Sequence, residues 1–442
     1  MHEDRTVPSH GEPPHADPLP GRPADARQPL FGRLGPGLIT GAADDDPSGI
    51  ATYSQAGAQF GLNMLWSVAF TYPLMVAVQL ISARIGRVTG AGLAANLSRV
   101  FPRPIVSGLV LLLFVANTVN IGADIAAMGA AGHLVLGWDA TVLTVLFAVV
   151  SLGLQLFVPY HRYVHILKWL TLALFAYVGV AFTVRIDWAE VATRTLAPHL
   201  VFSGAAVTVI VAVFGTTISP YLFFWQSSEE VEELELSDQH DLRHETQDRA
   251  RSELSRIRLD TLIGMAFSNL VAFFIILTTA VTLHAQGVTD IQTSAEAAEA
   301  LRPVAGPLAF ALFSLGIIGT GLLAVPVLAG SAAYAVGEVH GWKTGLEHWP
   351  WEAKGFYAVI VAAMLIALGV VFSPLDPIKT LFWSAVVNGV ISVPIMAAMM
   401  VVATRRHEMG EFVATLDQRI FGWLATAAMA AAVVAMLAFG FG

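Results

Sequence analysis

Three consecutive aspartates, Asp44, Asp45 and Asp46, stand in the middle of a long apolar run and are followed directly by Pro47. An ionised carboxylate at the centre of a bilayer costs at least about 2.5–3.5 kcal/mol on insertion scales, so three of them would cancel much of the gain from the apolar run. Such a group is tolerable only if it faces a water-filled cavity or a cation. Carboxylate oxygens are ligands that divalent cations prefer, so a bound cation is one of the two environments that would explain these residues.

The residues around the aspartates favour a broken helix. Pro47 lacks a backbone donor and clashes with the preceding turn, and Gly41 and Gly49 lower the cost of unwinding. The sequence therefore predicts a break at Asp46–Gly49, where freed carbonyls and carboxylates converge. The alternative is a short surface stretch between two half-length helices, against which the continuous apolar flanks argue.

A second interruption lies far along the chain, in an otherwise apolar run that ends near Trp225. Its polar and helix-breaking residues are Gly215, Thr216, Thr217, Ser219 and Pro220. This stretch offers hydroxyl and carbonyl oxygens but no charge. Taken alone, this stretch is better explained as an ordinary proline kink.

Both interruptions belong to a chain that is too apolar for a water-soluble protein. Of its 442 residues 55% are hydrophobic and 13% are charged, whereas a soluble protein has nearer ~25% charged residues. The chain has no cysteine, which excludes thiol-ligated metals and disulfides, and no basic face for nucleic acid; no cofactor is expected. A spanning helix needs ~20 apolar residues, and eleven runs of about this length occur: Leu34–Ala58, Met64–Ile85, Ile105–Leu136, Thr141–Val158, Val164–Val184, Val201–Trp225, Thr261–Leu283, Pro307–Val336, Phe356–Phe372, Ile378–Val402 and Ile420–Phe441.

The distribution of basic residues predicts a multi-pass protein of the cell membrane with a cytoplasmic N-terminus and an extracytoplasmic C-terminus. Only four of the 24 Lys and Arg residues then lie outside, namely Arg185, Arg194, Arg302 and Lys379. Residues 1–30, rich in proline and charge, predict a disordered cytoplasmic tail. The remainder, 31–442, is expected to be one transmembrane domain that acts as a monomer, with its largest inside loop at about residues 227–260.

The two interrupted runs are the first and the sixth. That spacing is expected if runs one to five and six to ten are inverted repeats, over residues 31–190 and 191–402, with an extra helix at 419–441. In such transporters the two broken helices meet at mid-membrane and form the substrate site. A site of carboxylate, carbonyl and hydroxyl oxygens favours a small, hard divalent cation.

The third run adds a polar stripe. Asn117, Asn120 and Asp124 are spaced by three and four residues, which places them on one helix face. Asp124 is a candidate proton relay or gate, whereas hydrogen bonding between helices explains the two asparagines equally well. For Asn388 in the tenth run, interhelical hydrogen bonding is the default interpretation.

Several stretches resemble the Nramp family of divalent-metal transporters. They are the GPG opening of the first run, DPSG, the AGAQFG exit, QLISARIGRVTGAGLA, the third-run aspartate and LAGSAAYAVGE. The resemblance covers almost everything after Phe31. It implies an all-α, polytopic, leucine-transporter-like 5+5 inverted repeat plus an eleventh helix, with the first and sixth helices unwound at mid-membrane, and cation transport by alternating access.

The sequence departs from the family where the family binds its ion. The family motif Asp-Pro-Gly-Asn is DPSG at Asp46–Gly49, and Met-Pro-His is SPY at Ser219–Tyr221. The family's methionine is a soft ligand that favours manganese and iron, so a serine gives a harder site. Its histidine, associated with proton handling, is a tyrosine here. The chain is thus similar to the divergent Nramp-related branch whose better-known members carry magnesium.

The resemblance implies a metal site assembled from both interruptions, with Asp46 as its best-matched ligand. The other candidate ligands at matching positions are the Thr216 carbonyl, the Ser219 hydroxyl, Ser48, the Gly49 carbonyl and Tyr221. Asp45 has no family counterpart and is a candidate for attracting the ion or holding part of its water shell. The expected substrate is an imported divalent cation, with magnesium favoured over manganese. Asp124, flanked by Asn117 and Asn120, leaves proton coupling open.

Other functions remain as alternatives. One is a proton-coupled manganese or iron symporter, and another is an organic-substrate symporter on the same fold, although the triple aspartate argues against an anionic substrate. An intramembrane aspartyl protease would pair an acid near Asp46 with Asp124, because that chemistry needs two carboxylates that share a proton. Its Gly-x-Gly-Asp motif is absent, since Ile121–Asp124 reads IGAD.

Overall fold

The computed structural model describes residues 36–158, 167, 170–198, 203–236, 241–372 and 376–440. Within these ranges the chain forms helices and no β-strand. The α-helices, in chain order, are α1 (Pro36–Asp44), α2 (Pro47–Phe60), α3 (Leu65–Thr89), α4 (Leu93–Val100), α5 (Arg103–Leu136), α6 (Ala140–Phe157), α7 (Phe175–Thr183), α8 (Trp188–Leu196), α9 (Gly204–Thr217), α10 (Pro220–Leu236), α11 (Gln247–Thr282), α12 (Ser294–Glu299), α13 (Arg302–Ala305), α14 (Ala309–His340), α15 (Lys354–Val371), α16 (Pro377–Thr404), α17 (Arg406–Met409) and α18 (Leu416–Phe439).

Nine helical segments in the described ranges are long and apolar enough to cross a membrane. One of them, Pro47–Thr89, joins α2 to α3 through a 3-10 turn at Gly61–Met64. Every predicted apolar run overlaps at least one of the helices, and the chain is a multi-pass membrane protein. The predicted tail, 1–30, and residues 164–166, 168 and 169 of the fifth run lie outside the described residues.

Both predicted interruptions are present, and after each break the helix resumes at a proline. In the first run, α1 ends at Asp44 and α2 begins at Pro47. In the sixth run, α9 ends at Thr217 and α10 begins at Pro220. Proline suits the first helical position because the amide it lacks would have no partner there.

The first break lies at Asp45–Asp46, so its prediction at Asp46–Gly49 is wrong by about two residues. The reason is a helix cap, since the side chain of Asp46 accepts the backbone N–H of Gly49 and closes the first turn of α2. Ser48 and Gly49 are therefore helical. They do not belong to the unwound segment.

Each half-helix that precedes a break packs closely against the backbone of a neighbouring helix through one glycine. A Cβ atom on Gly41 in α1 would lie 2.2 Å from the carbonyl oxygen of Gly264 in α11. A Cβ atom on Gly215 in α9 would lie 2.1 Å from the carbonyl oxygen of Ala385 in α16. Since any side chain would force these helices apart, backbone packs directly on backbone at both places.

The predicted loop at residues 227–260 is mostly helical, because α10 continues to Leu236 and α11 starts at Gln247. Arg87 at the end of α3 is buried against these extensions. Its Nη2 lies 2.9 Å from Glu253 Oε2 in α11, and its Nη1 lies 3.5 Å from Glu233 Oε2 in α10. The charged stretch is thus an ion-pair network that ties three helices together.

Candidate functional site

The two interruptions meet in the structure. The hydroxyl of Tyr221, one residue into α10, donates to the carbonyl oxygen of Ala43 in α1 over 3.2 Å. On the other side of the breaks, the hydroxyl of Tyr53 in α2 lies 3.0 Å from Thr217 Oγ1 in α9. Each broken helix therefore hydrogen-bonds both halves of the other run across the gap. The prediction that the two breaks come together is confirmed.

Asp46 occupies the first break and is held by three donors. Its Oδ1 accepts hydrogen bonds from Ser48 Oγ and from the Gly49 amide, both at 2.7 Å, and its Oδ2 accepts one from Asn120 Nδ2 at 2.9 Å. Hydrogen bonds to an ionised acceptor are about twice as strong as neutral ones. The carboxylate is therefore oriented before any ion arrives, and α5 contributes to that orientation through Asn120.

Asn120 in α5 hydrogen-bonds both to Asp46, which caps α2, and to Ser384 in α16. Its Nδ2 also lies 3.5 Å from Asp124 Oδ2, and its Oδ1 accepts from Ser384 Oγ at 2.6 Å. The backbone amide of Ser48 faces the Asp124 carboxylate from α2. Asp46 and Asp124 thus both approach the same Asn120 amide nitrogen, at 2.9 Å and 3.5 Å.

Asn117 lies away from this cluster. Its Nδ2 donates to the Leu328 carbonyl and to Ser331 Oγ, both at 2.8 Å. These bonds join α5 to α14. Of the predicted polar stripe, Asn120 and Asp124 reach the site, whereas Asn117 makes the interhelical bond that was its alternative interpretation.

Asp44 and Asp45 face α11. Ser268 Oγ lies 2.5 Å from Asp44 Oδ2 and 3.1 Å from Asp45 Oδ1. The other carboxylate oxygens, Asp44 Oδ1 and Asp45 Oδ2, are buried and accept no hydrogen bond from any described residue. One hydroxyl proton serves two carboxylates, so these acids are far less well compensated than Asp46. Sequence reasoning missed Ser268, because a lone serine in an apolar helix carries no spacing signal.

Serine hydroxyls donate hydrogen bonds to the backbone carbonyls at the second break. Ser219 Oγ donates to the Gly215 carbonyl at 2.7 Å and to the Thr216 carbonyl at 2.8 Å. Ser392 Oγ, in α16, donates to the Ile218 carbonyl at 2.9 Å. Two of the predicted ligands, Ser219 and the Thr216 carbonyl, are therefore hydrogen-bonded to each other in this conformation.

Asn388 departs from its sequence interpretation. It lies on the α16 face that carries Ser384 and Ser392, one turn from each, between the groups that hold Asn120 and Ile218. Its side chain is 1% exposed, yet neither its Nδ2 nor its Oδ1 has a hydrogen-bond partner within the described ranges. The expected interhelical hydrogen bond is absent there, and an unsatisfied amide is left beside the two breaks.

The site as a whole is closed to water. Asp46, Ser48, Thr216, Ser219 and Tyr221 are each 1% exposed. The aspartates therefore do not face a water-filled cavity, which is one of the two environments, cavity or cation, that the sequence allows. In the part of the chain that the structure describes, no three His, Asp or Glu side chains are arranged to hold a metal ion. An ion at this site would have to be bound by hydroxyl, carbonyl or water oxygens together with the carboxylates.

A family comparison settles the relationship that the motifs suggest. Residues 37–439 match the model of the family described as natural resistance-associated macrophage protein-like (Nramp). The chain belongs to the Nramp family. Among similar Nramp proteins, the divalent metal cation transporter MntH of Klebsiella pneumoniae is 27% identical over 414 residues, covering 91% of this chain and 92% of the relative.

Solved structures agree on the fold. The Eremococcus coleocola manganese transporter, crystallised with an aromatic bis-isothiourea compound, superposes with a TM-score of 0.68 at 15% identity, covering 92% of this Nramp chain and 86% of the other. MhsT in complex with L-phenylalanine gives a TM-score of 0.59 at 11% identity, over 91% and 97% of the two chains. The leucine-transporter-like architecture expected for an Nramp chain is therefore confirmed.

Proposed function

We propose that the chain is a secondary transporter that imports a divalent metal cation by alternating access. The observation that carries this proposal is the meeting of the two broken helices around a buried, preoriented Asp46. The names of its relatives, divalent metal cation transporter and manganese transporter, support the same class of substrate. In this proposal the metal ion is the transported substrate and not a cofactor.

Magnesium is the favoured ion and manganese the next. The side chains nearest the breaks offer oxygen from carboxylates and hydroxyls, with Ser219 where the family's thioether stands, and oxygen ligands suit hard cations. A proton-coupled manganese or iron symporter is the second candidate. It is favoured by the relatives' names and by Asp124, which lies across Asn120 from Asp46.

The closed site indicates how access would alternate. The Tyr221–Ala43 and Tyr53–Thr217 bonds hold both halves of each interrupted run together. Opening towards one side needs one bond to break while the other persists. With the N-terminus in the cytoplasm, as the basic residues indicate, α1 lies towards the inside and α2 towards the outside, so loss of the Tyr221–Ala43 bond would open the inner path.

Uptake into proteoliposomes tests the proposal. We expect saturable magnesium uptake that manganese competes with and calcium does not, and at least a 100-fold loss of uptake in Asp46→Ala. The matched control is Asp248→Ala, which removes an exposed carboxylate from the first turn of α11. Unchanged uptake in Asp46→Ala, in a protein that elutes and melts normally, would refute the ion site. Manganese uptake that is driven by a pH gradient and resists excess magnesium would instead establish the second candidate.

A further inference from the structure

A continuous groove runs along the surface between α3, α11 and α18. Its lower part is a cavity of about 330 Å³ whose lining includes Arg84, Arg258 and Asp417. Its upper part is a cavity of about 830 Å³ between α3, α9 and α18. Pro73 and Phe421 line both cavities, so the two parts adjoin.

The lower part of the groove carries net positive charge, since it presents two guanidinium groups and one carboxylate. Arg84 makes few hydrogen bonds, and its charge is offset only in part by the Asp417 carboxylate, which lines the same cavity. Its Nη1 reaches only the carbonyls of Phe412 and Val413, at 3.4 and 3.5 Å, and its Nε is buried without a hydrogen-bond partner among the described residues. An anionic oxygen would give this guanidinium the charge-assisted hydrogen bonds that it lacks.

The upper part of the groove is apolar and faces the bilayer. Phe70 and Leu424, on opposite walls, are 52% and 51% exposed. Along α3 the path from Arg84 to Pro73 covers about 17 Å at ~1.5 Å per residue, which is a little over half of the ~30 Å hydrocarbon core. A molecule with its anionic group at Arg84 therefore has room for hydrocarbon chains that reach the middle of the membrane.

We propose that this groove binds an anionic phospholipid, with its phosphate between Arg84 and Arg258 and its acyl chains running past Pro73 and Phe421. The bound lipid joins three helices that the transport site does not link directly. One of them is α11, which packs against α1 at Gly264 and carries Ser268, the donor to Asp44. The headgroup composition of the membrane therefore acts on the stability of the closed conformation.

Native mass spectrometry of the full chain, purified in mild detergent and supplied with phosphatidylglycerol or phosphatidylcholine of identical chains, tests the site. We expect one retained phosphatidylglycerol per chain, at least tenfold preferred over phosphatidylcholine, and a higher melting temperature with phosphatidylglycerol. The double variant Arg84→Gln/Arg258→Gln should lose the preference. Arg99→Gln/Arg103→Gln, which removes the same charge from exposed positions on α4 and α5, should keep it.

A second variant tests the acyl-chain part without changing charge. Ala428→Phe should fill the upper cavity and lower phosphatidylglycerol retention at least fivefold. Equal retention of both lipids by the unaltered chain would overturn the proposal, as would an equal thermal gain from inorganic phosphate. A dimer of the unaltered chain that Ala428→Phe converts to a monomer would show that a second copy covers the groove, and would also overturn it.

Discussion

The hydroxyl of Tyr221 lies 3.2 Å from the carbonyl oxygen of Ala43, so the second interrupted helix hydrogen-bonds the first at the point where both lose their regular backbone pairing. The sequence makes Tyr221 a candidate metal ligand. In the closed conformation its hydroxyl is instead a donor to the backbone, which gives it a structural role in holding the two breaks together.

Replacing this tyrosine by phenylalanine should weaken the closed conformation without removing an ion ligand. A net hydrogen bond contributes about 1 kcal/mol, so we expect Tyr221→Phe to lower ion affinity about fivefold while the ranking of ions stays the same. Competition uptake measures both quantities. A complete loss of uptake in a well-folded variant would show that the phenol oxygen binds the ion directly.

Exchanging Ser219 for methionine tests whether this residue faces the ion. We expect Ser219→Met to raise manganese or cadmium affinity relative to magnesium, because a thioether is a soft ligand. Ser219→Leu is the matched control, because leucine adds similar bulk but no sulfur. The position is buried, with Ser219 1% exposed. If both variants change the competition between ions equally, the shift comes from crowding, and Ser219 is not a ligand.

Removing the Ser268 hydroxyl should destabilise the protein. Asp44 and Asp45 share this donor, and leaving a buried charged acceptor unsatisfied costs about 1–3 kcal/mol or more. We expect Ser268→Ala to lower the melting temperature, and Asp44→Asn in the same chain to restore part of it by removing one charge. A melting temperature in Ser268→Ala equal to that of the unaltered chain would contradict the shared-donor arrangement.

Replacing Asn388 should impair transport without lowering the stability of the protein. Its amide is buried without partners in the described ranges, and such a group costs about 1–3 kcal/mol. We expect Asn388→Leu, which is similar in size, to leave the melting temperature equal or higher while uptake falls about tenfold, because the amide lies beside both breaks. Lower stability with normal uptake would mean that Asn388 serves only packing.

Proline and polar residues revealed the breaks because they violate the rules of a lipid-facing helix. Pro47 and Pro220 each stand at the start of a resumed helix, as their missing amide requires. The exact position of the first break follows from the capping bond that the Gly49 amide donates to Asp46, and an aspartate directly before a proline is itself a sequence signal for a helix start. Thus the existence of the two breaks was predictable, and the register of the first follows once Asp46–Pro47 is interpreted as a helix start.

The partners of the polar groups were harder to predict than the groups themselves. Ser268 compensates two acids 223 and 224 residues away in sequence, and only the packing of α1 on α11 brings them together. The acidic stretch after the second break resembled a solvated loop because nothing local shows that Arg87 is buried against it. Long-range pairing of this kind is a property of the fold and not of any window of sequence.

At Gly41 and Gly215, the half-helices that precede the breaks contact the backbone of a neighbouring helix with no side chain in between. At these two points the half-helices rest on main-chain atoms, whose shape does not depend on residue type, so substitutions at the breaks leave this packing unchanged. Under the proposed function, a change of the transported ion therefore needs substitutions at the breaks but none at Gly41 or Gly215.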